Sequence, residues 1–380
     1  ITGNQDKIKN VHAQNANLGI NIANTGETWI DDYLQEGTTV VGGIAIDTTS
    51  AVFLHHVVMN QTGSQPDFGI ADSNSTELVI DGGTDLSGMG TSFLVTPGSG
   101  QYVSATYVSD SFFDTGNNGA NIYVAPTGSG YVLTMRYSNV WASTNIAAPT
   151  QVANGWTFDS GGVTSGLGIT DVMVVNGLAQ GFVGHVGMYI NGAYTNGISV
   201  DNSVFGDNYD GIMVGANTSN FKIVNDWFGN YVGAGANSEW GIVVTSGTSD
   251  YYEISNNHIV GNTFGQLFDG GSGSNKIVTC NIGVASNACG VGVSNLTVGT
   301  TTIASGTSGD IEYNNGGVLG EKGVTGTGNV VLASAPSIAS LTVTTGLTAA
   351  TYFAGASAGV ACSGSPTSSF ASVGGIVTHC

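Results

Sequence analysis

Val200-Asp201-Asn202-Ser203-Val204-Phe205, Ile223-Val224-Asn225-Asp226-Trp227-Phe228 and Ile254-Ser255-Asn256-Asn257-His258-Ile259 are three near-copies of one six-residue pattern. Each alternates apolar residues around an asparagine, and Gly, Asn or Asp turn residues follow. Asn202, Asn225 and Asn256 stand 23 and 31 residues apart, in the range where a repeat signals a solenoid. That interval suits one turn of a parallel β-helix. Short apolar runs between the copies, Gly211-Ile212-Met213-Val214 and Gly241-Ile242-Val243-Val244, supply a second strand per turn. A compact bundle or sandwich has no reason to keep such a period.

Outward from the copies, β-rich runs alternate with Gly/Asn/Ser turns from residue 1 to about 295, without helical periodicity. Strands are predicted at 8–12, 52–59, 77–80, 102–108, 122–125, 131–137, 169–175 and 188–190. The expected fold is all-β: a right-handed parallel β-helix over 1–295, then a small β-rich fibre and trimerisation region over 296–380. In such a helix alternate residues point inward and stack coil on coil. Val200, Ile223 and Ile254 are therefore expected inside with Val204, Trp227 and His258. Asn202, Asn225 and Asn256 are expected to face in as well, bonding as an amide ladder because buried amides need partners. Residues 234–239 and 270–275 read as surface excursions, where repeat proteins carry binding surface.

Charged residues make up 8% of the chain against 41% hydrophobic, so Ser, Thr, Asn and Gly must build the exterior. Glycine, at 60 of 380 residues, is about twice average usage and suits a chain that turns a corner every few residues. A net charge of −20 repels phosphate backbones, which argues against nucleic acid as a partner. The six cations, Lys7, Lys9, Arg136, Lys222, Lys276 and Lys322, are too dispersed for a basic patch. No apolar run reaches the 18 or so residues of a membrane helix, so no membrane insertion is expected. The residues after Ile1 lack the basic and apolar regions of a signal peptide.

Four cysteines allow three pairings, and the local ones, Cys280 with Cys289 and Cys362 with Cys380, are favoured. Each would add about 2 to 3 kcal/mol and imply an oxidising environment. Four reduced thiols are the alternative. After about residue 295 the chain becomes rich in Thr, Gly, Ala and Ser and loses the coil period. Its large apolar content is too small for a separate core, so it is expected to bury itself against copies of the same chain.

Gly309-Asp310-Ile311-Glu312-Tyr313-Asn314-Asn315-Gly316-Gly317-Val318-Leu319-Gly320, followed by Gly326-Thr327-Gly328-Asn329-Val330-Val331-Leu332-Ala333-Ser334-Ala335-Pro336, resembles a passage in the distal parts of tailed-bacteriophage tail fibres. The closing Gly359-Val360-Ala361-Cys362-Ser363-Gly364-Ser365-Pro366 and Gly374-Gly375-Ile376-Val377-Thr378-His379-Cys380 are similar to endings in the same group. The detailed resemblance covers the last quarter; before it only general β-helix character is shared with phage tailspikes and pectate-lyase-like proteins. The resemblance implies an extracellular virion protein, a homotrimer with intertwined tails, joined to other virion tail proteins and directed at the bacterial surface. Threefold association would also cover the exposed solenoid end and the nearly charge-free tail.

Polysaccharide-cleaving proteins of this architecture use paired carboxylates, one to protonate the leaving oxygen and one to activate water or attack. Acids cluster in the repeats: Asp201, Asp207, Asp210, Asp226, Glu239 and Glu253. Asp207, Asp210, Asp226 and Glu239 are the catalytic candidates, although Asp in a Gly/Asn corner commonly bonds its own backbone. Tyr209, Tyr231, Trp240 and Tyr251 are candidates for stacking on pyranose rings. Tyr252 belongs to the same aromatic group, and Trp227, at the offset of Val204, reads as core. Lyase chemistry needs a basic residue, and Lys222 is the only cation among the copies. Gly355-Ala356-Ser357-Ala358-Gly359 matches G-x-S-x-G without a strand-turn-helix context. Asp81-Gly82-Gly83-Thr84-Asp85-Leu86 faintly resembles a calcium-binding repeat, yet stands as one copy. No cofactor or metal is expected; Ca²⁺ is compatible with the charge without a motif asking for it. His55 and His56 are expected on opposite faces of a strand.

Three functions follow as expectations. The first is a trimeric phage tail fibre or tailspike attaching to host-surface polysaccharide. The second is a depolymerase hydrolysing glycan on the same β-helix. The third is a purely structural virion fibre or decoration protein.

Overall fold

The computed structural model describes residues 1–37, 41–61, 67–114, 120–144, 154–230 and 234–285, with six short strands between 311 and 379. It divides into two units, Ile1–Ser294 and Asn295–Cys380. The first is a parallel β-solenoid of about ten turns. Its 24 described strands form one continuous hydrogen-bonded sheet, wound so that each coil pairs in parallel with the coils before and after it. Among the described residues there is no helix, and so none long and apolar enough to cross a membrane.

One coil consists of Met188–Asn191, Thr195–Asp201 and Val204–Gly206, and the next of Ile212–Val214, Phe221–Val224 and Trp227–Gly229. These three strand positions define faces 1, 2 and 3. The two strands per turn predicted from sequence become three, because each near-copy is split by its asparagine. Asn202, Asn225 and Asn256 have φ of 53°, 58° and 58°, the left-handed region that Asn tolerates better than most side chains.

That kink uses up one residue and restarts the in-out alternation out of phase. Val200, Ile223 and Ile254 point inward as expected, but Ser203 and Phe205 follow them inside while Asn202 and Val204 turn out. The expectation that Asn202, Asn225 and Asn256 face in is therefore overturned; all three are exposed. Val204, Trp227 and His258 do stack on one another, on the exterior. The left-handed position recurs through the solenoid as Asn10, Asp32, His56, Gly83, Asp110, Asn139, Asn176, Asn202, Asn225, Asn256 and Cys280. It also turns His56 outward beside His55, so both histidines are exposed.

The buried ladder lies one residue later. Asp226 Oδ1 accepts from the Ser203 N–H (2.7 Å), Asn257 Oδ1 from Asp226 N–H (2.9 Å) and Asn281 Oδ1 from Asn257 N–H (3.1 Å). The amide groups of Asn257 and Asn281 donate back to the carbonyls of Ile223 and Ile254, both at 3.0 Å. A second buried ladder, Asn208, Asn237 and Asn262, joins faces 3 and 1. Both satisfy backbone groups that the corners take out of the sheet.

Apolar columns fill the interior. Leu54, Ile80, Val108, Tyr137, Val174, Val200, Ile223 and Ile254 stack beneath face 2, and Phe205 stacks on Phe228 at 5.1 Å beneath face 3. One carboxyl interrupts such a column: Asp72 lies in register between Ile46 and Val95. Entering face 1, coil after coil places glycine at one position: Gly19, Gly43, Gly69, then Gly155, Gly187, Gly211 and Gly241. A Cβ at Gly187 would stand 2.6 Å from the carbonyl oxygen of Gly211, and one at Gly211 2.5 Å from that of Gly241. Close coil stacking at this corner thus requires the missing side chain.

The described strands of the second unit form three antiparallel hairpins: Ile311–Asn315 with Val318–Lys322, Phe353–Ala354 with Ser357–Ala358, and Ala371–Val373 with Ile376–His379. Ser357 of the G-x-S-x-G match therefore begins a short hairpin strand. Cys280 is half-buried and has no disulfide partner among the described residues. Cys289, Cys362 and Cys380 lie outside the described residues.

Candidate functional site

Where face 3 gives way to face 1, three successive coils present Tyr209-Asp210-Gly211-Ile212-Met213, Glu239-Trp240-Gly241-Ile242-Val243 and Phe264-Gly265-Gln266-Leu267-Phe268 in stacked order. Glu239 N–H donates to the Tyr209 carbonyl (2.8 Å) and Phe264 N–H to that of Glu239 (3.0 Å). The stack opens a cleft of about 330 Å³. Met213, Val243 and Phe268, neighbours in one outward column, line its floor, and Tyr209, Asp210, Glu239 and Trp240 complete it.

The Trp240 indole lies over Gly265, where a Cβ would come within 2.2 Å of the ring. It meets Phe264 edge-on at 5.2 Å and Phe268 at 5.7 Å. Phe264 is 70% exposed, Phe268 41% and Tyr209 40%. Asp210 is buried at the cleft's inner edge and accepts a hydrogen bond from the Trp240 N–H at 2.9 Å. Burial raises its carboxyl above the ordinary range against the pull of that N–H, and the neighbouring Glu239 charge raises it further. An apolar, aromatic floor beside two carboxylates of unlike environment can stack a sugar face, accept hydrogen bonds from its hydroxyls and hold a proton on the more buried acid.

Of the eight residues singled out from sequence, the cleft brings together Tyr209, Asp210, Glu239 and Trp240. Asp207 stands apart, accepting from the Gln180 side-chain amide at 2.9 Å. Asp226 is wholly inside the buried ladder, where burial holds its carboxyl well above the ordinary range. Tyr251, 62% exposed, borders a separate open groove of about 710 Å³ that also holds the Lys222–Glu253 ion pair (3.4 Å). Tyr231 lies outside the described residues. Met213, Val243, Phe264 and Phe268 were not singled out, although aligning Gly211, Gly241 and Gln266 as one coil position would have found them. Among the described residues, no three His, Cys, Asp or Glu side chains are placed to hold a metal ion.

Comparison with protein-family models, with curated proteins and with solved structures finds no match.

Proposed function

We propose that this chain is a phage tail fibre or tailspike subunit that attaches, as a homotrimer joined to other virion tail proteins, to a polysaccharide of the host cell surface. The observation that carries the binding half is the Trp240–Phe264–Phe268 cluster beside Asp210 and Glu239: exposed aromatic faces next to hydrogen-bond acceptors suit pyranose rings. The virion half rests on the resemblance of residues 309–336 and 359–380 to tail-fibre sequence. Binding of the purified protein to whole host cells and to their isolated polysaccharide tests it. Trp240→Ala should weaken binding at least about tenfold, while Trp141→Ala, outside the cleft, leaves it unchanged. Equal binding by both variants removes the cleft from the attachment surface.

A depolymerase is the second reading, favoured by one observation: Asp210, held toward its protonated form, shares the cleft with Glu239. Release of oligosaccharide that stops in both Asp210→Asn and Glu239→Gln supports it. No release by the unaltered protein discards it.

A further inference from the structure

The cations of the solenoid are confined to one face. Its five cations, Lys7, Lys9, Arg136, Lys222 and Lys276, all lie on strands of face 2. Four of them are already engaged, Lys9 with Asp31, Arg136 with Asp171, Lys222 with Glu253 and Lys276 with Asp269, and Lys7 lies 5.9 Å above the Trp29 ring. The cleft between faces 3 and 1 holds Asp210 and Glu239 and no cation. His185 accepts the Tyr209 N–H through its backbone carbonyl at 2.8 Å, which places this histidine beside the cleft. Burial lowers the pKa of its ring, which favours the uncharged form.

A saccharide carboxylate, phosphate or sulfate in this cleft would meet two acids, no compensating donor charge and the field of a chain carrying −20. An ammonium group would meet the opposite. We infer that the cleft takes a glycan free of acidic groups and holds it more tightly when it carries unacetylated amino sugars. This rests on the cleft being the glycan site and adds the class of glycan.

Neighbouring coils extend the same chemistry. Below Met213 the same register of face 1 continues through Tyr189, then Thr157, which is buried with its hydroxyl accepting from the Asn154 amide at 3.1 Å, and Tyr123. Asp159 raises the phenols of both Tyr123 and Tyr189, adding to the larger effect of burial. A polymer leaving the cleft along face 1 would meet Tyr189 and the nearby Asp159 before the buried Thr157, again without a cation.

The test is an array of immobilised bacterial polysaccharides in three sets: neutral, bearing free amines, and bearing uronate or phosphate. The full chain should bind the amine set about tenfold more tightly than the neutral set at low salt, with the acidic set weakest. Raising salt should narrow the difference. Glu239→Gln should remove the amine preference, so that the amine and neutral sets bind this variant equally, and Glu239→Lys should bring in the acidic set. Acidic glycans bound as tightly as neutral ones, with Trp240→Ala still abolishing binding, would overturn the charge inference and leave the cleft as the site. Equal binding of amine and neutral sets would overturn the amine preference. Binding to none of the three sets would overturn the glycan site itself.

Discussion

The corner between faces 2 and 3 is built in two ways within one solenoid. In the first coils, strands such as Leu18–Gly37 and Gly42–Gln61 run unbroken through it, with Val11, Tyr33 and Val57 stacked inside. Outside, charges alternate: Lys9 with Asp31 at 2.6 Å, His56 with Asp32 and His55 with Asp81 at 2.7 Å. In the later coils the strands stop at the corner, Ser203, Asp226, Asn257 and Asn281 are stacked inside, and outside asparagines hold the corner, Asn202 donating to Asn176 and Asn225 to the Asp201 carboxylate. Where backbone pairing continues round the bend, the interior can stay apolar. Where it breaks, buried side-chain amides must replace the lost bonds.

The glycine column is common to both regions, so the largest expected effect should ignore the difference between them. Gly43→Ala would press a Cβ to 2.4 Å from the Gly69 carbonyl, and Gly187→Ala to 2.6 Å from that of Gly211. Each is expected to cost roughly 4 to 5 kcal/mol in denaturant unfolding. A mild effect at Gly43 alone would mean that the early coils are the more pliable.

Asp72 provides the next test, confined to the early region. Burial pushes its carboxyl up to about 7, despite hydrogen bonds from the Ser75 hydroxyl (2.5 Å) and the Asn74 N–H (3.2 Å). A raised carboxyl pKa means that the folded chain binds the proton more tightly than the unfolded one. Stability should therefore fall as pH rises from about 4 to about 7, by roughly 4 kcal/mol, and level off above. Asp72→Asn keeps an acceptor for Asn74 and should flatten that slope in urea titrations across this window.

Smaller effects separate the later region. Asn257→Ala, which leaves the Asp226 N–H and the Ile223 carbonyl without their side-chain partner, should cost roughly 2 to 3 kcal/mol in denaturant unfolding. Asp226→Asn should stabilise by about 1 kcal/mol, since it removes a buried acid whose Oδ2 has no partner and supplies the amide used at Asn257 and Asn281. The exposed His55–Asp81 pair comes last. The hydrogen bond to Asp81 raises the His55 pKa, so its support is complete below about pH 6.5 and is lost as pH rises through the raised value. Asp81→Asn should remove that dependence, an effect well under 1 kcal/mol visible by proton NMR titration.

The period of the three near-copies was enough to read the parallel coil, and Val200, Ile223 and Ile254 point inward as strand alternation requires. What followed each asparagine was misread for one physical reason: a left-handed residue shifts the alternation by one. That shift moved Trp227 outside and Asp226 inside. At the cleft, the residue types of Tyr209, Asp210, Glu239 and Trp240 were legible. Their convergence, and the addition of Phe268, depended on coil lengths set by corners that local patterning does not measure.

The recurring left-handed residue also makes the coil a removable module. Because Asn202 and Asn225 share one backbone geometry and one place in the winding, excising the segment from one to the other rejoins matching ends. Gain or loss of such segments changes the rod's reach in steps of about 4.8 Å. The solenoid can thus be lengthened or shortened by whole turns while the distant coils keep their shape.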